Sequence, residues 1–170
     1  LTQEENLVVV AVDNGVNDRV YPQNADFTFY GGLYRDVKII AVSASHFDLD
    51  YYGGPGILVT PEVMGADAKV SVEVFLTNAK TDQRLTFRIW DGEGNIVGEK
   101  TAAVSETQAV FDLPSVHLWN GRKDPYLYTA EVLLTEGDQK LDRVLTRFGC
   151  RTYEIDPERG FILNGEEYPL

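Results

Sequence analysis

The sequence predicts an all-β fold, an immunoglobulin-like antiparallel β-sandwich, on three observations. Apolar residues recur at alternate positions through some seven short runs within about a hundred residues. Turn residues separate these runs at intervals of about 8–12 positions. No stretch sustains the helical period of about 3.6 residues. The sandwich is expected over residues 45–155 of a 170-residue chain.

The N-terminal part reads differently. Residues 7–12 (LVVVAV) form a continuous apolar run, the pattern of a strand covered on both faces. Asn, Asp, Gly and Pro crowd residues 13–23 and mark a loop. Residues 27–30 and 33–42 predict two further strands, joined or kinked at Gly31-Gly32. Three strands make a poor free-standing domain. Residues 1–44 are therefore expected to pack on the sandwich or to pair with a second copy of the chain, because unpaired strand edges seek partners.

From Ser45 onward the alternation becomes regular. Residues 46–52 and the Gly53-Gly54-Pro55-Gly56 break lead into a first strand at 57–63. Val70, Val72, Val74 and Leu76 line one face of the next, with Ser71, Glu73 and Thr77 opposite. Leu85, Phe87 and Ile89 repeat the pattern, and Asp91-Gly92-Glu93-Gly94-Asn95 is a turn. Residues 96–103, then Ala109, Phe111 and Leu113, supply two more strands. Asp124-Pro125 sets a backbone corner, since proline locks φ and biases its predecessor towards extended geometry. A long hairpin follows, with Tyr126, Tyr128, Ala130, Val132 and Leu134 on one face, a turn at Glu136-Gly137-Asp138 and a return over residues 141–148. Asn164-Gly165 is a strong hairpin signal near the C-terminus.

Bulk properties exclude some functions. A net charge of −12 leaves no basic patch for nucleic acid and none for an anionic membrane surface. No apolar run approaches the about 20 residues that span a bilayer. Cys150 is the single cysteine, so the core stands on packing without an internal disulfide. The chain begins at Leu1, within a polar lead-in to a strand, and reads as cut from a longer protein. The compartment, cytoplasm or periplasm of a bacterium, stays open.

A set of motifs in fixed order resembles glycoside hydrolase family two. It comprises Trp119, Asp124-Pro125-Tyr126-Leu127-Tyr128, Phe148-Gly149-x-Arg151 and Phe161-x-Leu163-Asn164-Gly165. Upstream, the run from Asp26 to Val37 is similar to the end of that family's sugar-binding domain, in the form common among its β-galactosidases. The resemblance implies three pieces: the end of a jelly-roll sugar-binding domain (1–44), the immunoglobulin-like domain (45–155) and the lead-in to a catalytic barrel (156–170). It implies a retaining β-galactosidase whose two catalytic glutamates lie in that barrel, with the sandwich as scaffold and the neighbouring domains as its partners. Another activity of the family, β-glucuronidase or β-mannosidase, and a stand-alone carbohydrate-binding or adhesion module are the alternatives.

The resemblance carries over one candidate substrate contact, Asp26. In related β-galactosidases an acidic residue at this place helps to bind the galactose ring and, in some members, a monovalent cation; Mg2+ or Na+ is thus a cofactor to consider for the intact enzyme. No catalytic residue and no metal ligand is expected within the chain itself. The alternative for Asp26 is a loop aspartate capping a turn. Arg35 of the same run is expected to point inward and pair with carboxylates or backbone oxygens. Trp90, Trp119 and the tyrosines Tyr126, Tyr128 and Tyr153 read as core or junction packing rather than sugar platforms. His46 and His117 are isolated, and the 91–95 turn lacks the terminal glutamate of a calcium loop. Pairs such as Asp48/Asp50 and Glu166/Glu167 are expected by chance among 27 acidic residues.

Overall fold

In the computed structural model, which describes residues 5–19 and 30–169, burial alternates with the predicted period of two through Asp67–Val74, Gln83–Trp90 and Gln108–Leu113. The chain divides into two units, Leu1–Ala41 and Val42–Leu170.

In the second unit, β2 (Ile57–Met64), β3 (Asp67–Val74) and β7 (Gln108–Leu113) form a three-stranded sheet in the order β2-β3-β7. Opposite lies a four-stranded sheet, β6 (Ile96–Ala103), β5 (Gln83–Trp90), β8 (Tyr128–Glu136) and β9 (Gln139–Phe148), in that order. All pairings are antiparallel. The core lies between the sheets. Val70, Val72, Val74, Ala109, Phe111 and Leu113 come from one, and Leu85, Phe87, Ile89, Ala130, Val132 and Leu134 from the other. Burying each large side chain contributes about 1.5–3 kcal/mol. Pro61 is tolerated within β2 because this strand is an edge, where a missing N–H costs no ladder bond.

Two shorter pieces flank the sandwich. β1 (His46–Phe47) pairs with β4 (Leu76–Thr77), so Leu76 leaves the face it was expected to share with Val74 and joins the incoming chain. The predicted strand at Tyr126 starts two residues later, at Tyr128. At the C-terminal end β10 (Tyr153–Asp156), β11 (Gly160–Leu163) and β12 (Glu166–Glu167) form a three-stranded sheet. Asn164 and Gly165, both at positive φ (51° and 84°), make the tight turn between the last two.

The expectation of strands in the first unit is not met: residues 5–19 and 30–41 contain none. Leu7, Val9, Val16 and Ile39 are exposed there. A strand exists only through the ladder of a neighbour, and no described residue supplies one. Residues 27–29 of the second predicted strand lie outside the described residues.

The two sheets approach closely at Gly98 of β6, where an added Cβ would stand 2.6 Å from the Phe111 ring. Gly98→Val should therefore overpack the core and lower the urea midpoint by the equivalent of about 1–3 kcal/mol. Val97→Ala, on the exposed side of the same strand, should change it by less than about 0.5 kcal/mol. Equilibrium unfolding of both variants checks this.

Candidate functional site

The sequence motifs converge at one end of the sandwich. Leu118 bridges Cys150 in parallel, and the Trp119 amide donates to the Cys150 carbonyl at 2.8 Å. This brings the Trp119 segment against the end of β9. Gly149 is needed at the crossing, since a Cβ there would lie 2.7 Å from Trp119 Cβ. Arg151 lays its guanidinium 4.8 Å from the Trp119 ring centre. The loop after Trp119 closes on itself: the Asn120 amide donates to Asp124 O at 2.7 Å.

The terminal sheet is fastened to this knot. The Asn164 side chain accepts from the Thr152 amide (2.9 Å) and donates to Trp119 O (3.0 Å). Its own amide donates to Thr152 O at 2.9 Å. Tyr168 Oη accepts from the Arg122 amide at 2.9 Å, packed where a Cβ on Gly121 would not fit. Residues 153–169 are thus a sheet bonded to the sandwich rather than a loose lead-in. Trp119, Arg151, Tyr153, Phe161, Leu163 and Tyr168 line an apolar recess of about 270 Å³. An adjoining recess of about 470 Å³ is flanked by Arg147 and Arg151, neither of which pairs with a carboxylate among the described residues.

The opposite end holds the incoming chain. Ser45 and Gln83 are both buried; Gln83 Nε2 donates to Ser45 Oγ (3.0 Å), which donates to Asn78 O (2.7 Å). Asp142 accepts from the Phe47 amide at 2.9 Å. Residues 43–47 are therefore tied to β9 and to the segment before β5.

A charged ladder crosses the outer face of the four-stranded sheet. Arg88 stands between Glu99 and Glu131, and Glu131 between Arg88 and Arg143. Glu131 is only 3% exposed and also accepts from Trp90 Nε1 at 3.0 Å. Burial opposes its ionisation, but the Arg143 and Trp90 hydrogen bonds and the two guanidinium charges outweigh that and hold the carboxyl below its usual range. Sequence reasoning missed Glu131. The available signal was its alternation with Val132 and Ala130 opposite Arg88, but alternation alone places a glutamate in solvent.

The predicted residues divide clearly. Asp26 lies outside the described residues. Arg35 corrects an expectation: it is exposed, with its guanidinium 5.4 Å from the Tyr34 ring centre, and pairs with no carboxylate among the described residues. No sheet forms around it to turn it inward. Trp90 donates to Glu131 and Trp119 lies under the Arg151 guanidinium and lines the apolar recess, while Tyr153, expected in core or junction packing, is exposed at 66%. Tyr126 and Tyr128 anchor corners: Tyr126 Oη accepts from the Gly92 amide and donates to Glu93, and Tyr128 Oη accepts from the His117 amide. His117 is less isolated than expected. It contacts Asp124 at 2.6 Å and stacks on Tyr126. Cys150 is buried, its thiol pushed up to about 11 by desolvation. Asp91 spends its carboxylate on the amides of Glu93 and Asn95 and on the Asn95 side chain. Asp48 likewise accepts from the amides of Asp50 and Tyr51 and from Thr77 Oγ1. Glu167 pairs with Arg159. Among the described residues no group of three His, Cys, Asp or Glu side chains is placed to hold a metal ion.

The sequence profile named Glycosyl hydrolases family 2 matches residues 56–151, more than half of the chain and nearly all of the sandwich. The chain belongs to this family. A β-glucuronidase of Bacteroides fragilis is 34% identical over 98% of the chain and 25% of its own length. The β-galactosidase BoGH2A of Bacteroides ovatus is 30% identical over 96% of the chain and 19% of its own length. The crystal structure of an FMN-binding β-glucuronidase from Facaelibacterium prausnitzii L2-6 superposes with a TM-score of 0.83, at 40% identity, over 88% of the chain and 23% of its own. The chain thus spans about a quarter or less of the family members it matches.

Glu131 generates a pH prediction. Its folded carboxyl titrates below the ordinary value of 4.5, so the stability it adds is complete above that value and is lost as pH falls through the folded value. Thermal midpoints of the wild type should fall more steeply below pH about 4.5 than those of Glu131→Gln. At neutral pH Glu131→Ala should cost about 3 kcal/mol, the lower end for a broken buried pair because both arginines reach solvent.

Proposed function

We propose that this chain is the non-catalytic scaffold of a retaining family-two β-glycosidase. The observation that carries the reading is that both ends of the sandwich are fastened. The Ser45–Gln83 and Asp142–Phe47 bonds hold the incoming chain, and the Trp119–Asn164 bonds hold the outgoing one. A body tied at both ends sets the domains on either side at a fixed separation, which is how loops from two domains meet in one pocket. In this reading residues 1–44 belong to the adjoining sugar-binding domain, with Asp26 facing the substrate and any Mg2+ or Na+ ion bound outside the sandwich.

The intact polypeptide would cleave a terminal β-glycoside through a covalent glycosyl-enzyme, using two carboxylates about 5–5.5 Å apart in the following domain. The substrate favoured by the likeness to β-glucuronidases at 34% and 40% identity is a β-glucuronide. A β-galactoside is the second reading, favoured by the form of the run from Asp26 to Val37 and by the likeness to BoGH2A. The two sugars differ at C6, where a uronide carries a carboxylate that needs a cationic or hydrogen-donating partner. That partner would come from the following domain, since the sandwich does not read the sugar.

Hydrolysis of nitrophenyl β-glucuronide and nitrophenyl β-galactoside by the intact protein decides between them. Turnover of the glucuronide at least about a hundredfold above the galactoside is expected, because a site built for a charged group leaves its partners unpaired with the analogue lacking it. The reverse ratio would establish the galactosidase reading, and no turnover of either would overturn both, leaving the β-mannosidase and binding-module readings.

A further inference from the structure

The geometry points to Asn164 as the positioning residue that sets the orientation of whatever follows the sandwich. The inference rests on the scaffold reading above and names the residue that does the work at the outgoing end.

Among the described residues the β11–β12 turn makes three hydrogen bonds through Asn164, two to Thr152 at the foot of β10 and one to Trp119 O in the loop after β7. The Asn164 side chain takes the Thr152 amide and gives to Trp119 O, and its backbone gives to Thr152 O. Trp119 is itself fixed by the Cys150 carbonyl and by Arg151 stacked on its ring. The Asn164 side chain therefore joins the loop after β7 and the residue before β10 to the terminal turn. It does so at a φ of 51°, a left-handed conformation that asparagine tolerates and most residues do not. Gly165 beside it would satisfy the turn alone. The turn thus explains the backbone at residue 164, and the two side-chain bonds are additional. The Thr152 bond continues the β10–β11 ladder beyond the Tyr153–Leu163 pair, and the Trp119 bond runs across the knot. Removing the side chain leaves that ladder and the Arg122–Tyr168 bond in place and releases the turn from the Trp119 loop.

Asn164→Gly tests this in the intact enzyme, because glycine adopts the same φ without strain and deletes only the side chain. Two quantities are read. Amide hydrogen exchange over residues 152–169 should quicken about tenfold, the scale of one to two lost hydrogen bonds, while β5 and β8 stay protected. The Michaelis constant should rise about tenfold at a nearly unchanged turnover number. The carboxylates in the following domain would keep their mutual geometry, and what moves is the sugar-binding domain's share of the pocket. Asn164→Asp keeps the acceptor for Thr152 and loses the donor to Trp119, so it should fall between wild type and glycine on both readouts. It also decides the matter if the glycine variant does not accumulate folded. Unchanged exchange would overturn the inference, and so would a fall in turnover number at constant Michaelis constant, the mark of a lost active fraction. A wild-type enzyme inactive on every β-glycoside would sink the proposed function alone, because the exchange measurement still passes judgement on the clamp.

Discussion

The register between β5 and β8 is the constraint on which the rest of the molecule depends. Leu85 faces Leu134, Phe87 faces Val132 and Ile89 faces Ala130, and all six are buried. Because side chains alternate across a strand, this register also decides the other face, where Arg88 stands opposite Glu131. A slip of one residue would put Glu131 into the core and Val132 into solvent. The same pairing thus builds the apolar interior and the charge ladder outside. The ladder adds to register specificity, since its charges alternate in sign across four strands: Glu99, Arg88, Glu131, Arg143.

The two ends of the sandwich solve a different problem. Loops at a sandwich edge are ordinarily the mobile parts of such a fold. Here both connections are held by buried or half-buried polar groups aimed at backbone atoms: Ser45 and Gln83 at one end, Asn164 at the other. Backbone bonds made by side chains are directional and short-ranged, so they fix where a chain leaves a domain more sharply than apolar contact does. Gly121 and Gly149 serve the same end by letting Tyr168 and Trp119 approach the backbone closely. The aromatic residues of the family motifs act as wedges in this joint. Tyr126 and Tyr128 each bond a neighbouring loop through the hydroxyl while their rings stack on His117 and Phe148 respectively.

The chain belongs to family two and occupies about a quarter or less of its relatives' length, and within it Asp48, Asp91 and Glu131 are engaged by amides, a hydroxyl and arginines. Arg147 and Arg151 flank an open recess and pair with no carboxylate among the described residues.

The sequence by itself determined the fold class, the positions of the sandwich strands along the chain, the turn at Asn164-Gly165 and the family. These are encoded in alternation, turn chemistry and ordered motifs, which are local along the chain. Only the tertiary structure decided the rest. Glu131 is buried because strands β5 and β9 bring Arg88 and Arg143 to it, partners 43 and 12 residues away that no local pattern announces. Asn164 reads as a turn residue, and its grip on Trp119 exists only once β9 has carried the chain back to that loop. The apolar run at Leu7 to Val12 has every local mark of a strand and forms none, because a strand is made by its neighbour as much as by its own residues.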